Sequence, residues 1–90
     1  NNFMTEKENL EIFSKAKFKS RRGLNELDQI FVPFVLEQFN NLDLHEKKLF
    51  IKLLEWEDID LADIILYKKE IKDMAFEEVF KKIIKFSSEI

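Results

Sequence analysis

Asp43-Leu44-His45-Glu46-Lys47-Lys48-Leu49-Phe50-Ile51-Lys52-Leu53-Leu54 reads as a capped amphipathic helix. Asp43 and Glu46 stand three apart, the spacing at which a cap residue and a glutamate satisfy each other's orphan amide donors. Leu49, Phe50, Leu53 and Leu54 then recur at the three-and-four spacing that gathers apolar side chains on one helix face. The pattern predicts a helix from Asp43 to about Trp56.

The same logic extends in both directions. Upstream, Thr5 and Glu8 form another capping box, and Leu10, Phe13 and Ala16 or Lys17 follow at helical spacing. Lys15, Lys17, Lys19, Arg21 and Arg22 crowd the end of that helix, where the macrodipole favours cations. Gly23, the only glycine, is expected to stop it as a left-handed residue. A second helix is predicted from about Leu24 to Phe39, with Leu24, Leu27, Ile30, Phe31, Phe34 and Val35 facing inward. Pro33 should kink or split it, because proline lacks a donor and crowds the preceding turn. Downstream, Asp58 or Asp60 is expected to cap a short fourth helix through Leu66, with Leu61, Ile64 and Ile65 inward. Lys68 to Lys72 is a charged connection, and Asp73 opens a fifth helix carrying Phe76, Val79, Phe80, Ile83 and Ile84.

These pieces imply an all-α protein: a compact single-domain bundle of about five helices joined by short loops. Ninety residues fit one domain. Surface scaling for this mass gives about 5,600 Å² folded against about 15,800 Å² unfolded, enough burial for a core without metal or disulfide staples. Ten phenylalanines make large aromatic side chains its main filling. Phe13, Leu27, Phe31, Phe34, Leu49, Phe50, Leu53, Ile64, Phe80 and Ile83 are the expected core. One glycine and one proline leave little turn chemistry for a β protein. Residues 1–4 are expected to lie outside the folded domain.

Several chemistries find no support. The chain has no cysteine, hence no thiol nucleophile, disulfide framework or zinc-thiolate site. His45 is a lone histidine in a predicted first turn, without a second histidine or an activated serine. Asp58, Asp60 and Asp63 begin like a calcium loop, but Asp63 occupies the position that demands glycine. A single glycine also excludes a self-contained dinucleotide or P-loop motif. No apolar run approaches the roughly 18 residues of a membrane span, and the acidic start resembles neither a secretory nor a transit signal. A cytoplasmic location in a bacterium is the expectation, with no catalytic residue and no metal.

Two segments remain. Lys15 to Arg22 places five cations in eight residues, which could neutralise phosphates of a nucleic acid. The net charge of −3 and the acidic run from Glu55 to Asp63 argue against that use. Arg21-Arg22-Gly23-Leu24-Asn25-Glu26-Leu27-Asp28 admits two readings from its residues alone. It is a helix stop followed by a carboxylate-rich helix start, or a corner from which Arg22 and Glu26 project while Gly23 admits another backbone.

That segment resembles the R-G-x-x-E motif of the YgfY-type succinate dehydrogenase assembly factors, the flavinators, carried here by Arg22, Gly23 and Glu26. Val32-Pro33-Phe34, the stretch Glu46 to Glu55, and Glu57-Asp58-Ile59-Asp60-Leu61, similar to a D-x-D-L segment of the family, follow in order. The resemblance covers about Lys15 to Leu66. It departs from the family at Lys68 to Lys72, and the last helix is similar only in being amphipathic. The resemblance implies a compact helical domain that binds the flavoprotein subunit of succinate dehydrogenase, with fumarate reductase a second candidate partner. It implies promotion of covalent FAD attachment to a histidine of that subunit, with FAD held by the partner and not stably by this chain. It further implies a partner-binding surface of Arg22, Gly23 and Glu26, with Arg21, Asp28, Asp58 and Asp60 as lesser contributors. In this reading Arg22 contacts the partner or cofactor, and Glu26 orders that arginine or meets a partner cation. A generic helical interaction module of antitoxin type and a nucleic-acid binder are the alternatives.

Overall fold

The computed structural model describes residues 4–90; the expectation for residues 1–3 lies outside them. Five α-helices follow one another: α1 (Glu6–Lys19), α2 (Asn25–Gln38), α3 (Leu44–Leu53), α4 (Asp58–Ile65) and α5 (Glu77–Ser88). Short 3₁₀ turns at Phe39–Asn41 and Met74–Phe76 lead out of α2 and into α5. Among the described residues there is no strand.

Both capping boxes form. The Glu8 amide donates to Thr5 Oγ1 at 3.0 Å, and the Thr5 amide to Glu8 Oε1 at 2.8 Å. In α3 the Glu46 amide donates to Asp43 Oδ1 at 2.8 Å, and the Asp43 amide returns to Glu46 Oε1 at 3.2 Å. Asp43→Ala is expected to cost about 1 kcal/mol, read as a lower urea midpoint with an unchanged slope.

Helix α2 lies at the centre and packs against α1, α4 and α5, while α3 bridges α1 and α5. The core is an aromatic cluster around Phe50, whose ring centroid lies 6.0 Å from Phe31, 5.3 Å from Phe34 and 5.8 Å from Phe39. Phe34 also meets Phe86 edge-on at 5.5 Å. Leu27, Leu53, Leu61, Val79, Phe80 and Ile83 complete the centre with no exposed surface. Of the expected core, Phe13 and Leu49 are half-buried and pack on its edge. Ala16 is the residue α1 buries fully, which lets that helix lie close to its neighbours.

Five local expectations are corrected. Gly23 is not in the left-handed region, and α1 stops earlier by other means. The Ser20 amide bonds Ala16 O at 2.9 Å, the Ser20 hydroxyl donates to Lys17 O at 2.8 Å, and the Arg22 guanidinium caps Lys19 O at 3.3 Å. The left-handed residue is Lys68, φ 57°, which turns the chain after α4 so that the Lys69 amide reaches Asp63 O at 2.9 Å. Pro33 does not split α2; the carbonyl deprived of a donor belongs to Gln29, an exposed residue, where water can replace the bond. Neither Asp58 nor Asp60 caps α4. Glu57 occupies the cap position without a side-chain bond, because the Asp58 carboxylate is engaged across the fold. Helix α3 accordingly ends at Leu53 rather than Trp56, and Asp73 caps the 3₁₀ turn ahead of α5 through the Ala75 amide at 3.1 Å.

Candidate functional site

The ends of α1, α2, α3 and α4 meet at Arg22. Its side chain keeps only 11% of its surface exposed. Nε donates to Asp58 Oδ1 at 2.7 Å, Nη1 to Leu54 O at 2.7 Å, and Nη2 to Trp56 O at 2.7 Å. The planar fork of the guanidinium suits this task, since a lysine amine could not reach two carbonyls and a carboxylate in one plane. The other Asp58 oxygen accepts from the Leu24 amide at 2.9 Å, ahead of the first residue of α2. One ion pair thus holds the stop of α1, the start of α2, the turn after α3 and the first turn of α4.

A second carboxylate completes the corner. Asp28 Oδ1 accepts from the Arg22 amide at 2.8 Å and from Arg21 Nε at 3.0 Å. The Arg22 backbone bond is the larger cause, and Arg21 the next, holding the Asp28 carboxyl below the usual range. At Asp58 burial works to raise the pKa. The Leu24 amide, the Arg22 guanidinium and the Gly23 amide together outweigh it and leave the carboxyl below its ordinary value. Both groups are therefore held as acceptors for the cations and amides around them.

Between these two carboxylates the chain presents Gly23, Asn25 and Glu26, all exposed. Nothing in the fold demands glycine at position 23. Its φ is not positive, and a Cβ placed there would meet Asp58 Oδ2 at 3.6 Å, an ordinary contact. Glu26, in the first turn of α2, makes no hydrogen bond or ion pair among the described residues. Asp58, not Glu26, orders Arg22, which corrects the expected division of labour within the motif. The donors of Arg22 are turned inward, so the corner offers an unpaired carboxylate and a bare backbone.

The remaining site residues separate. Arg21 is exposed and tied to Asp28. Asp60 lies apart from the clamp, on a groove of about 690 Å³ shared with Trp56, Glu57 and Asp63. Of the five cations between Lys15 and Arg22, Lys19 pairs with Glu55, Arg21 with Asp28 and Arg22 with Asp58. Most of that charge is neutralised within the fold, which removes the basis for a phosphate-binding stripe. Trp56 is the participant that sequence reasoning missed. It gives its carbonyl to Arg22 and packs its ring against Phe76 and Phe80 at 5.1 and 5.5 Å, tying the clamp to α5. A backbone acceptor has no letter in the sequence, so only the aromatic character of position 56 could have hinted at it. No helix among the described residues is long and apolar enough to cross a membrane.

Known proteins resemble the chain over most of its length. Residues 14–87 match the family described as flavinator of succinate dehydrogenase, a span that takes in the whole clamp and reaches past Leu66 into α5. The FAD assembly factor SdhE of Francisella tularensis is 39% identical over 71 residues, 79% of this chain and 74% of that protein. The SdhE of Mannheimia succiniciproducens is 33% identical over 70 residues, 78% of this chain and 81% of its own length. That of Coxiella burnetii is 35% identical over 74 residues, 82% of this chain and 90% of its own. No solved structure matches. The chain belongs to the family of flavinators of succinate dehydrogenase.

Proposed function

We propose that this protein is an assembly factor that binds the flavoprotein subunit of succinate dehydrogenase in the bacterial cytoplasm and promotes its covalent attachment to FAD. Fumarate reductase is a second candidate partner. FAD stays on the partner throughout, and the new bond joins it to a histidine of that subunit. This chain contributes no reacting group and is not itself an enzyme. Its contribution is position: holding the partner's histidine and flavin in a reactive geometry can remove several kcal/mol of the barrier, of a possible ~7–11 kcal/mol available from orientation.

The observation that carries the reading is the pairing of an exposed glycine the fold does not require with a carboxylate the fold leaves unpaired. Gly23 lets the partner's backbone approach closely, and Glu26 meets a cation or amide donor there. Arg22, Asp28 and Asp58 serve by holding the corner rigid, and Arg21 lies at its margin. A rigid presented corner loses little conformational entropy on binding.

The test is to measure flavin covalently bound to the purified subunit with and without this protein. Glu26→Ala should unfold within about 0.5 kcal/mol of the parent, as surface changes do, yet lose most of its promotion of flavinylation. Gly23→Ala should also stay folded, since neither backbone angle nor space opposes a methyl group, while its activity falls through the blocked approach. A Glu26→Ala variant with parental flavinylation and parental affinity would refute the assignment of this corner.

A further inference from the structure

Phe18 is 83% exposed, more than any other large apolar side chain described. The core does not use it: α1 turns Ala16 inward and rests Ile12 and Phe13 on the core's edge. Phe18 instead lines a groove of about 510 Å³ between α1 and α2, with Ser14, Lys17 and Arg21 on one side and Val32 and Leu36 on the other. Leu36 is itself 57% exposed. A single exposed apolar residue needs no explanation, but an exposed phenylalanine and leucine facing one groove form a patch of the kind that marks an interaction surface.

The groove has a charge and a direction. Its charged lining residues are Lys17 and Arg21; Arg21 is neutralised by Asp28, and Lys17 makes no ion pair among the described residues. Through that Arg21–Asp28 bond the groove ends where the Gly23–Glu26 corner begins. We propose that the groove is a second half of the partner-binding surface, taking an apolar side chain with a carboxylate beside it from the flavoprotein subunit. The proposal rests on the assembly-factor reading above. An aromatic anchor in an apolar slot with a charged rim is a common form of binding hot spot, and Lys17 on that rim favours an acidic neighbour. Self-pairing is disfavoured, because a two-fold contact through this groove would set Lys17 of one copy against Lys17 of the other. A bilayer is disfavoured by the net charge of −3.

The experiment titrates the purified flavoprotein subunit with the full chain and with Phe18→Ser, Leu36→Ser, Lys17→Glu, Leu10→Ser and Glu26→Ala. Leu10, 62% exposed, lies outside the groove and is the control. Phe18→Ser should weaken Kd tenfold or more with an unchanged melting temperature, and Leu36→Ser should weaken it less. Lys17→Glu should weaken binding most at low salt, and Leu10→Ser should bind as the parent does. Parental Kd for both Phe18→Ser and Leu36→Ser, beside a weakened Glu26→Ala, overturns the groove and leaves the corner standing. Parental Kd for all three overturns the corner and the groove together. If Phe18→Ser instead abolishes a parental dimer in sedimentation, or adhesion to phosphatidylglycerol vesicles, while subunit affinity is unchanged, the patch serves another contact and the proposal falls.

Discussion

Phe50→Ala is expected to cost about 3–5 kcal/mol of folding stability, the range for truncating a fully buried aromatic ring. Phe50 has no exposed surface and touches rings from α2 and from the 3₁₀ turn that follows it. Removing it opens a cavity where three phenylalanines converge, in a close-packed interior that relaxes only in part. A chain of this length carries roughly 5–13 kcal/mol in total, by the usual per-residue stability. At about 4–8 °C per kcal/mol for small domains, the melting temperature should fall by more than about 12 °C. Thermal unfolding followed by far-ultraviolet circular dichroism checks this. Phe50→Leu should recover most of the loss, because it restores much of the volume. A Phe50→Ala protein melting within a few degrees of the parent would show that the aromatic cluster is not the centre of the core.

Arg22→Ala should be the next most damaging change, costing about 3 kcal/mol. That sits at the low end for breaking a buried ion pair, because Asp58 retains 29% of its side-chain exposure. The loss takes a donor from the carbonyls of Lys19, Leu54 and Trp56 and from the Asp58 carboxylate at once, and each unsatisfied acceptor adds to the penalty. Arg22→Lys should recover less than half, since an ammonium cannot reproduce the fork. The clamp also has a pH signature. The folded Asp58 carboxyl sits below its ordinary value, so the unfolded state takes up protons first as pH falls. Its contribution is therefore complete above about pH 4, the unfolded range for aspartate, and disappears as pH drops through the lower folded value. Urea unfolding of the parent and Asp58→Asn should give a constant stability gap between pH 5 and about pH 8 that closes below pH 4. A gap that persists at the acid end would mean that Asp58 acts through shape rather than charge.

These two lesions separate scaffold from surface. Phe50→Ala and Arg22→Ala should reduce flavinylation only as far as they reduce folded protein or loosen the corner. Glu26→Ala should reduce it in a molecule as stable as the parent. A family motif whose three marked residues are read together thus divides by burial. Arg22 is turned inward, whereas Gly23 and Glu26 face solvent.

Features that depend on residues three or four apart were legible without coordinates. The boxes at Thr5 and Asp43 bind neighbours along the chain, so their letters carry their geometry. The inward stripes of α2 and α5 were legible for the same reason: helical periodicity places Leu27, Phe31 and Phe34, or Val79, Phe80 and Ile83, on one face whatever the partner. The order of motifs from Arg22 to Leu61 likewise identified the family, because a resemblance is itself a property of sequence.

What only the tertiary structure decided are contacts between distant residues. Arg22 and Asp58 stand 36 apart in the chain, and no local rule pairs that arginine with that carboxylate rather than with Glu26, one helical turn away. Once Asp58 is taken by Arg22 and the Leu24 amide, it can no longer cap α4. Once Arg22 caps Lys19 O, Gly23 need not turn left-handed to end α1. Local propensity had offered a stop at Gly23 and a cap at Asp58, and the fold overrode both because one largely enclosed guanidinium satisfies more stranded groups than either. The exposure of Phe18 was equally out of reach of the sequence. Helical spacing says which side chains share a face, but only the packing of α1 on α2 and α3 says which face is left in water.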